Sequence, residues 1–228
     1  DAVADSGMSV KRASLEDAIA DNLNDVDLYQ AGEIAKITTQ TGLVDLDRLL
    51  EIRDGSETII AARPSQGKTA LALCIAGHVA GKLNRRVLFF SIVMPTNQLT
   101  ARMVYQHARV KKADVKMPGA LTETQKRQLE AAAEIVKAMP ITPFDIGIDS
   151  FAAIRAEIMR STRSSDARLV IVDYLQMMRH GGRDHFDNRN RELELIVNGF
   201  KDVAKQCSIP IILLSQLRRP DRDAVKNP

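Results

Sequence analysis

Short, continuously apolar runs recur along the chain, and each is long enough for one strand of a sheet. They cover residues 58–62, 86–93, 168–174 and 208–216. Because both faces of such a strand are apolar, the pattern is typical of strands buried within a parallel sheet. A weaker run at 141–146 contains Pro143, which has no backbone N–H to give to a ladder, so we expect it at the edge of the sheet.

Segments with apolar residues at helical spacing separate these runs. They predict helices over residues 43–50, 70–82, 96–108, 123–139, 151–163 and 190–206. Thr96, Thr122 and Ser150 stand where N-terminal caps are needed, and residues 109–121 are predicted to be irregular. Strands that alternate with helices predict an α/β fold, in which helices cover both faces of a mostly parallel sheet.

A further amphipathic helix is predicted near the start of the chain. Ser14 can cap it, and Asp17 three residues later makes an imperfect capping box. Helical spacing is followed by Leu15, Ala18, Ile19 and Leu23. This helix either packs on its own domain or forms an arm that docks on a neighbouring subunit, and the sequence leaves both interpretations open.

The composition narrows the choice of partners only slightly. With 45% hydrophobic residues, a chain of 228 residues can bury a sizeable core, as one large domain with an arm or as two small domains. The formal charge of +3 neither requires nor excludes a nucleic acid partner. Because the chain has no Trp and few aromatic residues, an aromatic platform for stacking bases is not expected.

The cysteines and the apolar runs indicate a protein of the cytoplasm. Cys74 and Cys207 are isolated in apolar segments, which predicts small core residues in a reducing compartment. No run of 18 apolar residues occurs, and the first residues lack the basic and apolar parts of a signal peptide. We therefore expect a cytoplasmic location and no membrane partner.

The candidate chemistry centres on the segment that joins the first strand to the following helix. Residues 61–69 read Ala-Ala-Arg-Pro-Ser-Gln-Gly-Lys-Thr. In such a loop the backbone N–H groups and the helix N-terminus hold anionic oxygens, and Gly67 allows a close backbone approach. Lys68 would reach the β- and γ-phosphates, and the Thr69 hydroxyl would bind Mg²⁺. Ala62 stands where the strict pattern has Gly, so a chance Gly-Lys-Thr in a turn is the alternative.

Polar residues follow the other apolar strands at what should be the same edge of the sheet. Ser91 to Met94 close the second run, Asp173 closes the third and Gln216 the last. Ligands bind at the carboxyl edge of an open parallel sheet. An Asp in this position is typical of the acidic residue that holds Mg²⁺ or its waters, although it can also cap the following turn. Gln216 is a candidate sensor of the γ-phosphate.

These segments together resemble the motifs of the DnaB-type replicative DNA helicases. The resemblance rests on residues 61–69, 90–95, 171–178 and 214–217, which occur in the family's order and at its approximate spacing. The segment from Thr41-Gly42 through Leu49 also resembles the start of the family's motor domain, so the likeness covers roughly residues 35–220. It accounts for Ala62, since that family has Ala-Arg-Pro-Ser before its Gly-Lys-Thr.

The resemblance implies a RecA-like P-loop NTPase that uses ATP and Mg²⁺. Such a domain would form a homo-oligomeric, hexameric ring around single-stranded DNA and translocate 5′ to 3′ to unwind the duplex at the replication fork. Primase and a helicase loader would be further partners. Residues 1–34 would be a linker whose helix docks on the adjacent subunit, and residues 35–228 would be the ATPase domain, truncated at its C-terminal end.

The family's functional residues map onto this chain by motif. Lys68, Thr69, Asp173 and Gln216 would be the catalytic set, with Thr69 and Asp173 holding Mg²⁺. The nucleotide would be bound by Arg63, Pro64, Ser65, Gln66, Gly67, Lys68, Thr69, Ala70 and Arg102.

One departure from the family concerns the chemical step. The family's second strand ends Ser-Leu-Glu-Met, and that Glu polarises the attacking water, but this chain has Val93 at the position. An isopropyl group neither orients water nor accepts a proton. We expect hydrolysis slower by orders of magnitude, with Mg-nucleotide binding retained. A natural inactive paralogue, an engineered trap mutant and recruitment of another acid remain alternative explanations.

A second departure concerns the contacts with DNA. In the family, the main DNA loop and the arginine finger follow the last motif, and by the resemblance they would come after Pro228. The remaining candidates for contact with DNA phosphates lie in two basic loops. One loop contains Arg179 and Arg183, together with Arg189 and Arg191, and the other contains Arg218 and Arg219. Solvated loops are the alternative interpretation.

Two other classes of protein stay open. One is a RadA-like or recombinase-like RecA ATPase that forms filaments, against which the run Asp173-Tyr174-Leu175-Gln176 argues. The other is a non-hydrolysing nucleotide-binding regulator or helicase-interacting subunit, which Val93 favours.

Overall fold

The structure, a computed structural model, describes residues 14–33, 37–145, 150–164, 166–180 and 188–217. The chain divides into two compact units, Asp1–Thr38 and Thr39–Pro228. The described part of the first unit is mostly helix α1, Leu15–Gln30. The Ser14 hydroxyl accepts from the N–H of Glu16, which confirms the predicted cap, but not from that of Asp17 as a capping box requires.

The second unit contains a five-stranded sheet whose pairs are all parallel, as predicted. Its strands are β1 (Glu57–Ala62), β2 (Arg86–Ser91), β3 (Ile141–Asp145), β4 (Ala167–Asp173) and β5 (Ile211–Gln216). They lie in the order β1-β5-β4-β2-β3, so the strand with Pro143 occupies an edge, as expected. This order brings the ends of β1, β5, β4 and β2 side by side.

Helices connect the strands close to the predicted positions. They are α2 (Val44–Leu49), α3 (Lys68–Gly81), α4 (Thr96–Ala108), α5 (Lys112–Lys116), α6 (Glu123–Ala138), α7 (Phe151–Ser164) and α8 (Arg189–Cys207), with a 3-10 turn at Leu175–Met177. The capping box of Thr122 with Gln125 confirms one predicted cap. Thr96 as a cap is wrong, because it is already helical and its N–H donates to the Asp145 carboxylate at 3.3 Å. The segment predicted to be irregular contains α5.

Both faces of the sheet are covered, as the two-sided apolar pattern predicts. Adjacent residues of β2 point to opposite sides: Phe89 packs with Ile75 and Val79 of α3, whereas Phe90 belongs to the cluster around Phe200 of α8. All of these side chains are fully buried. The two clusters hold the sheet between its helical layers. The packing of the core therefore determines the positions of the strand ends that carry the candidate site.

The cysteines correct one prediction. Cys74 is exposed and Cys207 is half-buried, and neither belongs to a disulfide. Helix α3 is apolar on most of its surface, so its pattern did not reveal which face meets the sheet. The buried face is formed by Ala72, Leu73, Ile75, Ala76, Val79 and Ala80. Cys74 instead contacts the side-chain amide of Gln106 on α4, at 2.6 Å.

Candidate functional site

The candidate residues converge at the carboxyl edge of the sheet. A pocket of about 380 Å³ lies there, lined by residues 63–70, Arg102, Asp173 and Gln216, all of which were predicted from the sequence. Val93, Met94 and Tyr174 complete the lining. The loop from β1 to α3, the turn after β2 and the ends of β4 and β5 therefore share one cavity.

The loop at residues 63–67 adopts backbone conformations that favour an anion site. Gly67 precedes α3 with φ +85°, a left-handed conformation that glycine adopts without strain. A Cβ at Gly67 would find no protein atom within 4 Å, so the backbone conformation, and not protein crowding, accounts for the glycine. Ser65 also has positive φ, at 65°, and the Gln66 side chain accepts from the N–H of Arg63 at 3.1 Å. The N-terminus of α3 thereby faces the pocket, where its N–H groups favour negative charge.

Thr69 and Asp173 meet inside the pocket although 104 residues separate them. The Thr69 hydroxyl donates to Oδ2 of Asp173 at 2.7 Å, and Asp173 is only 5% exposed. A hydroxyl and a carboxylate side by side are hard oxygen ligands of the kind that Mg²⁺ prefers. The donor set therefore fits the metal that the sequence predicts.

Lys68 is the half-buried cation of the site. Its Nζ lies 4.4 Å from the centroid of the Tyr174 ring. Burial lowers the pKa of Lys68 from its ordinary value, and the charge of Asp173 partly opposes this effect. Phosphate oxygens next to the ammonium would favour its charged form. The contact between Tyr174 and Lys68 was not predicted. The only signal in the sequence that could have indicated it is that Tyr174 directly follows Asp173.

Val93 lies at the mouth of the pocket, where it is 53% exposed. Two contacts position the turn that carries it. Ser91 donates its hydroxyl proton to the Met94 carbonyl at 2.6 Å, and the N–H of Ile92 donates to the Asp173 carbonyl at 2.9 Å. Among the described residues that line the pocket, Asp173 carries the only carboxylate.

The end of β5 has a partner that sequence reasoning missed. The side-chain amide of Gln176 accepts from the N–H of Gln216 at 2.9 Å and donates to its carbonyl at 3.2 Å. It also donates to the Ser215 hydroxyl at 2.8 Å. The run containing Gln176 was noticed only as a family motif, and its contact with a strand 40 residues away has no local signal.

The arginines proposed for DNA contact are only partly described. Arg179 is exposed, and its carbonyl accepts from the N–H of Phe151 at 2.9 Å. Arg183, Arg218 and Arg219 lie outside the described residues. Arg189 was expected in the basic loop, and this is wrong: it begins α8 and forms an ion pair with Glu192. Burial acts to raise the pKa of Glu192, but the His180 N–H and the charges of Arg189 and Arg179 outweigh it and lower that pKa.

No helix in the described ranges combines the length and the apolar character needed to cross a membrane.

Comparisons with known proteins agree with the motifs. The family model described as DnaB-like helicase C terminal domain matches residues 38–228. The replicative DNA helicase DnaB of Geobacillus stearothermophilus is 33% identical over 209 residues, which are 90% of this chain and 45% of that protein. The replicative DNA helicase DnaC of Bacillus subtilis is 35% identical over 189 residues, 82% of this chain and 41% of that protein. The chain thus spans less than half the length of these relatives.

Solved structures share the fold. A DnaB-like replicative helicase, described with its interactions with primase, superposes with a TM-score of 0.78 over 94% of this chain and 51% of that chain, at 24% identity. A second solved structure, described as an ATPase domain, gives a TM-score of 0.74 over 92% of this chain and 73% of that chain, also at 24% identity. These similarities confirm the predicted RecA-like fold.

Proposed function

The chain belongs to the DnaB-like helicase C-terminal domain family, and we propose that its pocket is the ATP and Mg²⁺ site of a replicative DNA helicase motor. The contact of Thr69 with Asp173, 2.7 Å long and next to Lys68, is the observation that carries this proposal. It joins the phosphate loop after β1 to the end of β4, two strands away in the sheet, where a metal and the phosphates have to meet.

Each part of the pocket has a separate task in holding the nucleotide. The N–H groups at the start of α3 and the Lys68 ammonium bind phosphate oxygens, and Arg63 and Arg102 add positive charge from exposed positions. Thr69 and Asp173 hold Mg²⁺. When bound, the metal neutralises charge on the phosphates. Gln216 at the end of β5 detects the γ-phosphate.

Hydrolysis by this pocket is proposed to be slow. A water that attacks phosphorus needs a group that orients it and accepts its proton, and Val93 offers neither. Asp173 is engaged with Thr69 and assigned to the metal. The exposed isopropyl group at the pocket mouth favours a second candidate function, a motor domain that binds nucleotide and does not turn it over at a useful rate.

The proposed function includes DNA and further copies of the chain. A hexameric ring of copies would move 5′ to 3′ on single-stranded DNA, with Arg179, Arg183, Arg218 and Arg219 contacting phosphates. Contacts of this kind are independent of sequence and weaken with salt. Primase and a helicase loader are the further proposed partners, and a cytoplasmic location is proposed.

The metal assignment is tested by replacing Asp173→Asn. The amide keeps an acceptor for the Thr69 hydroxyl but removes the negative charge, so the loop contact survives and metal binding weakens. We expect the Mg²⁺ concentration needed for half-maximal binding of a non-hydrolysable ATP analogue to rise about 10–100-fold. Titration calorimetry over a series of Mg²⁺ concentrations measures this.

Asp145→Asn is the matched control for this test. Asp145 ends the edge strand β3, outside the pocket lining, and an Asn there can still accept from the N–H of Thr96. Its Mg²⁺ dependence should equal that of the starting protein. Equal shifts for the two variants would contradict the assignment of the metal to Asp173.

Helix α1 supports assembly through an apolar stripe that lies exposed. The stripe comprises Leu15, Ile19, Leu23 and Val26, with exposed fractions of 76%, 51%, 61% and 52%. The spacing by three and four residues places them on one helical face. Several large apolar side chains exposed on one face are typical of a surface that binds another protein. We propose that this helix is the linker that docks on an adjacent copy.

Leu23→Lys should therefore weaken assembly. A lysine in the middle of the stripe would have to be desolvated at the interface, which costs more than the lost apolar contact alone. We expect the main species in mass photometry, with a non-hydrolysable ATP analogue present, to shift toward monomer. Asn24→Lys adds the same charge at an exposed neighbouring position and should retain the larger species. The interface assignment is wrong if both variants assemble equally well.

A further inference from the structure

We propose that Gln176 is the positioning residue for Gln216, the group that distinguishes a triphosphate from a diphosphate in the pocket. This inference rests on the proposed nucleotide site and adds to it a residue that lies outside the pocket lining. It is carried by three hydrogen bonds that attach one side-chain amide to the last two residues of β5.

The first argument is the place where the sheet ceases to support β5. On one side, β1 pairs with β5 along its whole length, to Ala62 opposite Gln216. On the other side, the pairing with β4 ends at Val172 opposite Leu213. Ser215 and Gln216 therefore extend beyond the end of β4, which stops at Asp173, and have no strand residue of β4 in register beside them.

The amide of Gln176 occupies the position that a neighbouring strand would take. Its oxygen accepts from the N–H of Gln216, and its nitrogen donates to the carbonyl of the same residue. A primary amide has an acceptor and a donor with the geometry of a peptide group, so this pair of bonds substitutes for a ladder. The bond to the Ser215 hydroxyl adds a third attachment. Gln216 is thus held by its backbone, while its side chain lines the pocket.

The backbone of Gln176 is itself held by a residue of α8. The Arg189 guanidinium at the start of α8 donates to the carbonyls of Gln176 at 3.0 Å and Met178 at 2.5 Å. Glu192 pairs with Arg189 and accepts from the N–H of His180 at 3.0 Å. These charge-assisted bonds fix the backbone on both sides of the turn, so the amide of Gln176 has a rigid base.

A side chain that contacts a γ-phosphate has to be placed within about 0.5 Å, because hydrogen bonds weaken steeply away from their optimal geometry. Removal of the Gln176 amide leaves the end of β5 supported on one side only. The expected result is loss of the γ-phosphate contact with the rest of the pocket intact. Binding of ATP should suffer, and binding of ADP should not.

The test is the ratio of the dissociation constants for ADP and ATPγS, measured with Mg²⁺ on the intact protein. Gln176→Ala should lower this ratio about 3–10-fold, at unchanged affinity for ADP. Gln176→Met, which keeps length and packing but removes both polar ends, should lower it equally. Gln216→Ala should have the same effect, and the double variant Gln176→Ala with Gln216→Ala should add nothing further. Gln128→Ala, an exposed Gln on α6, is the matched control.

Three results would overturn the inference. If Gln216→Ala lowers the ratio and Gln176→Ala does not, Gln216 senses the phosphate without this support. If Gln176→Ala weakens ADP equally, its amide stabilises the whole pocket and does not position one residue. If no variant changes the ratio, Gln216 is not a γ-phosphate sensor. Lys68→Ala tests the nucleotide site separately. If it weakens the binding of both ATPγS and ADP, the proposed nucleotide site holds even where the role of Gln176 fails, so failure of the inference can be told apart from failure of the proposed function.

Discussion

Val93→Glu is expected to raise the rate of ATP hydrolysis about 10²–10⁴-fold, the range that a positioned general base contributes. The side chain at this position is 53% exposed at the mouth of the pocket, so a carboxylate fits there without displacing the core. The Ser91 and Ile92 contacts hold the turn, so the new carboxylate would be carried on a fixed backbone in the same pocket as Lys68 and Asp173. Phosphate release, with and without single-stranded DNA, measures the rate.

Val93→Gln is the control that separates charge and basicity from size. It has the length and shape of Glu but cannot accept a proton, so its rate should remain close to that of the starting protein. Equal rates for the Glu and Gln variants would show that the chemistry at this position is not general base catalysis. In that case the proposed cause of slow turnover would be wrong.

Lys68→Ala is expected to weaken binding of Mg-ATP about 10–100-fold, because it removes a charge-assisted contact to the phosphates. Lys68 begins α3 with its ammonium inside the pocket, half-buried beside the Tyr174 ring. Burial lowers the pKa of Lys68, and the negative charge of Asp173 offsets this only in part, so phosphate oxygens would relieve an existing electrostatic cost. Fluorescent nucleotide titration measures the affinity.

Lys82→Ala provides the comparison at the opposite end of the same helix. Lys82 is exposed and caps the C-terminus of α3, remote from the phosphate loop. It changes the net charge equally, so any general effect of charge on nucleotide affinity appears in both variants. The phosphate-loop assignment fails if Lys68→Ala binds Mg-ATP as tightly as Lys82→Ala does.

The fold could be predicted from the sequence in those elements whose structure is determined by burial alone. Strands such as β2 and β4 are apolar on both faces, and no other common structure explains short runs of that kind between helices. Prediction failed where the local pattern was ambiguous. Helix α5 has too few residues for a period to be recognised, and the apolar surface of α3 concealed the exposed position of Cys74.

The pocket could be predicted from the sequence because its residues lie at or directly after the ends of strands. A glycine before Lys68, an Asp that ends β4 and a Gln that ends β5 are local signals, and a parallel sheet collects strand ends at one edge. The supporting contacts were not accessible. Arg189 was taken for a basic loop residue, yet it holds the carbonyls of Gln176 and Met178, because contacts between side chain and distant backbone have no periodicity in the sequence.

The central claim is that this pocket holds Mg-ATP but lacks the group that activates water. The most direct measurement is the identity of the nucleotide recovered from the protein after incubation with Mg-ATP and removal of free nucleotide. The starting chain should yield intact ATP, close to one per chain, and Val93→Glu should yield ADP. Recovery of ADP from the starting chain at the same rate as from Val93→Glu, or of no nucleotide from either, would contradict the claim.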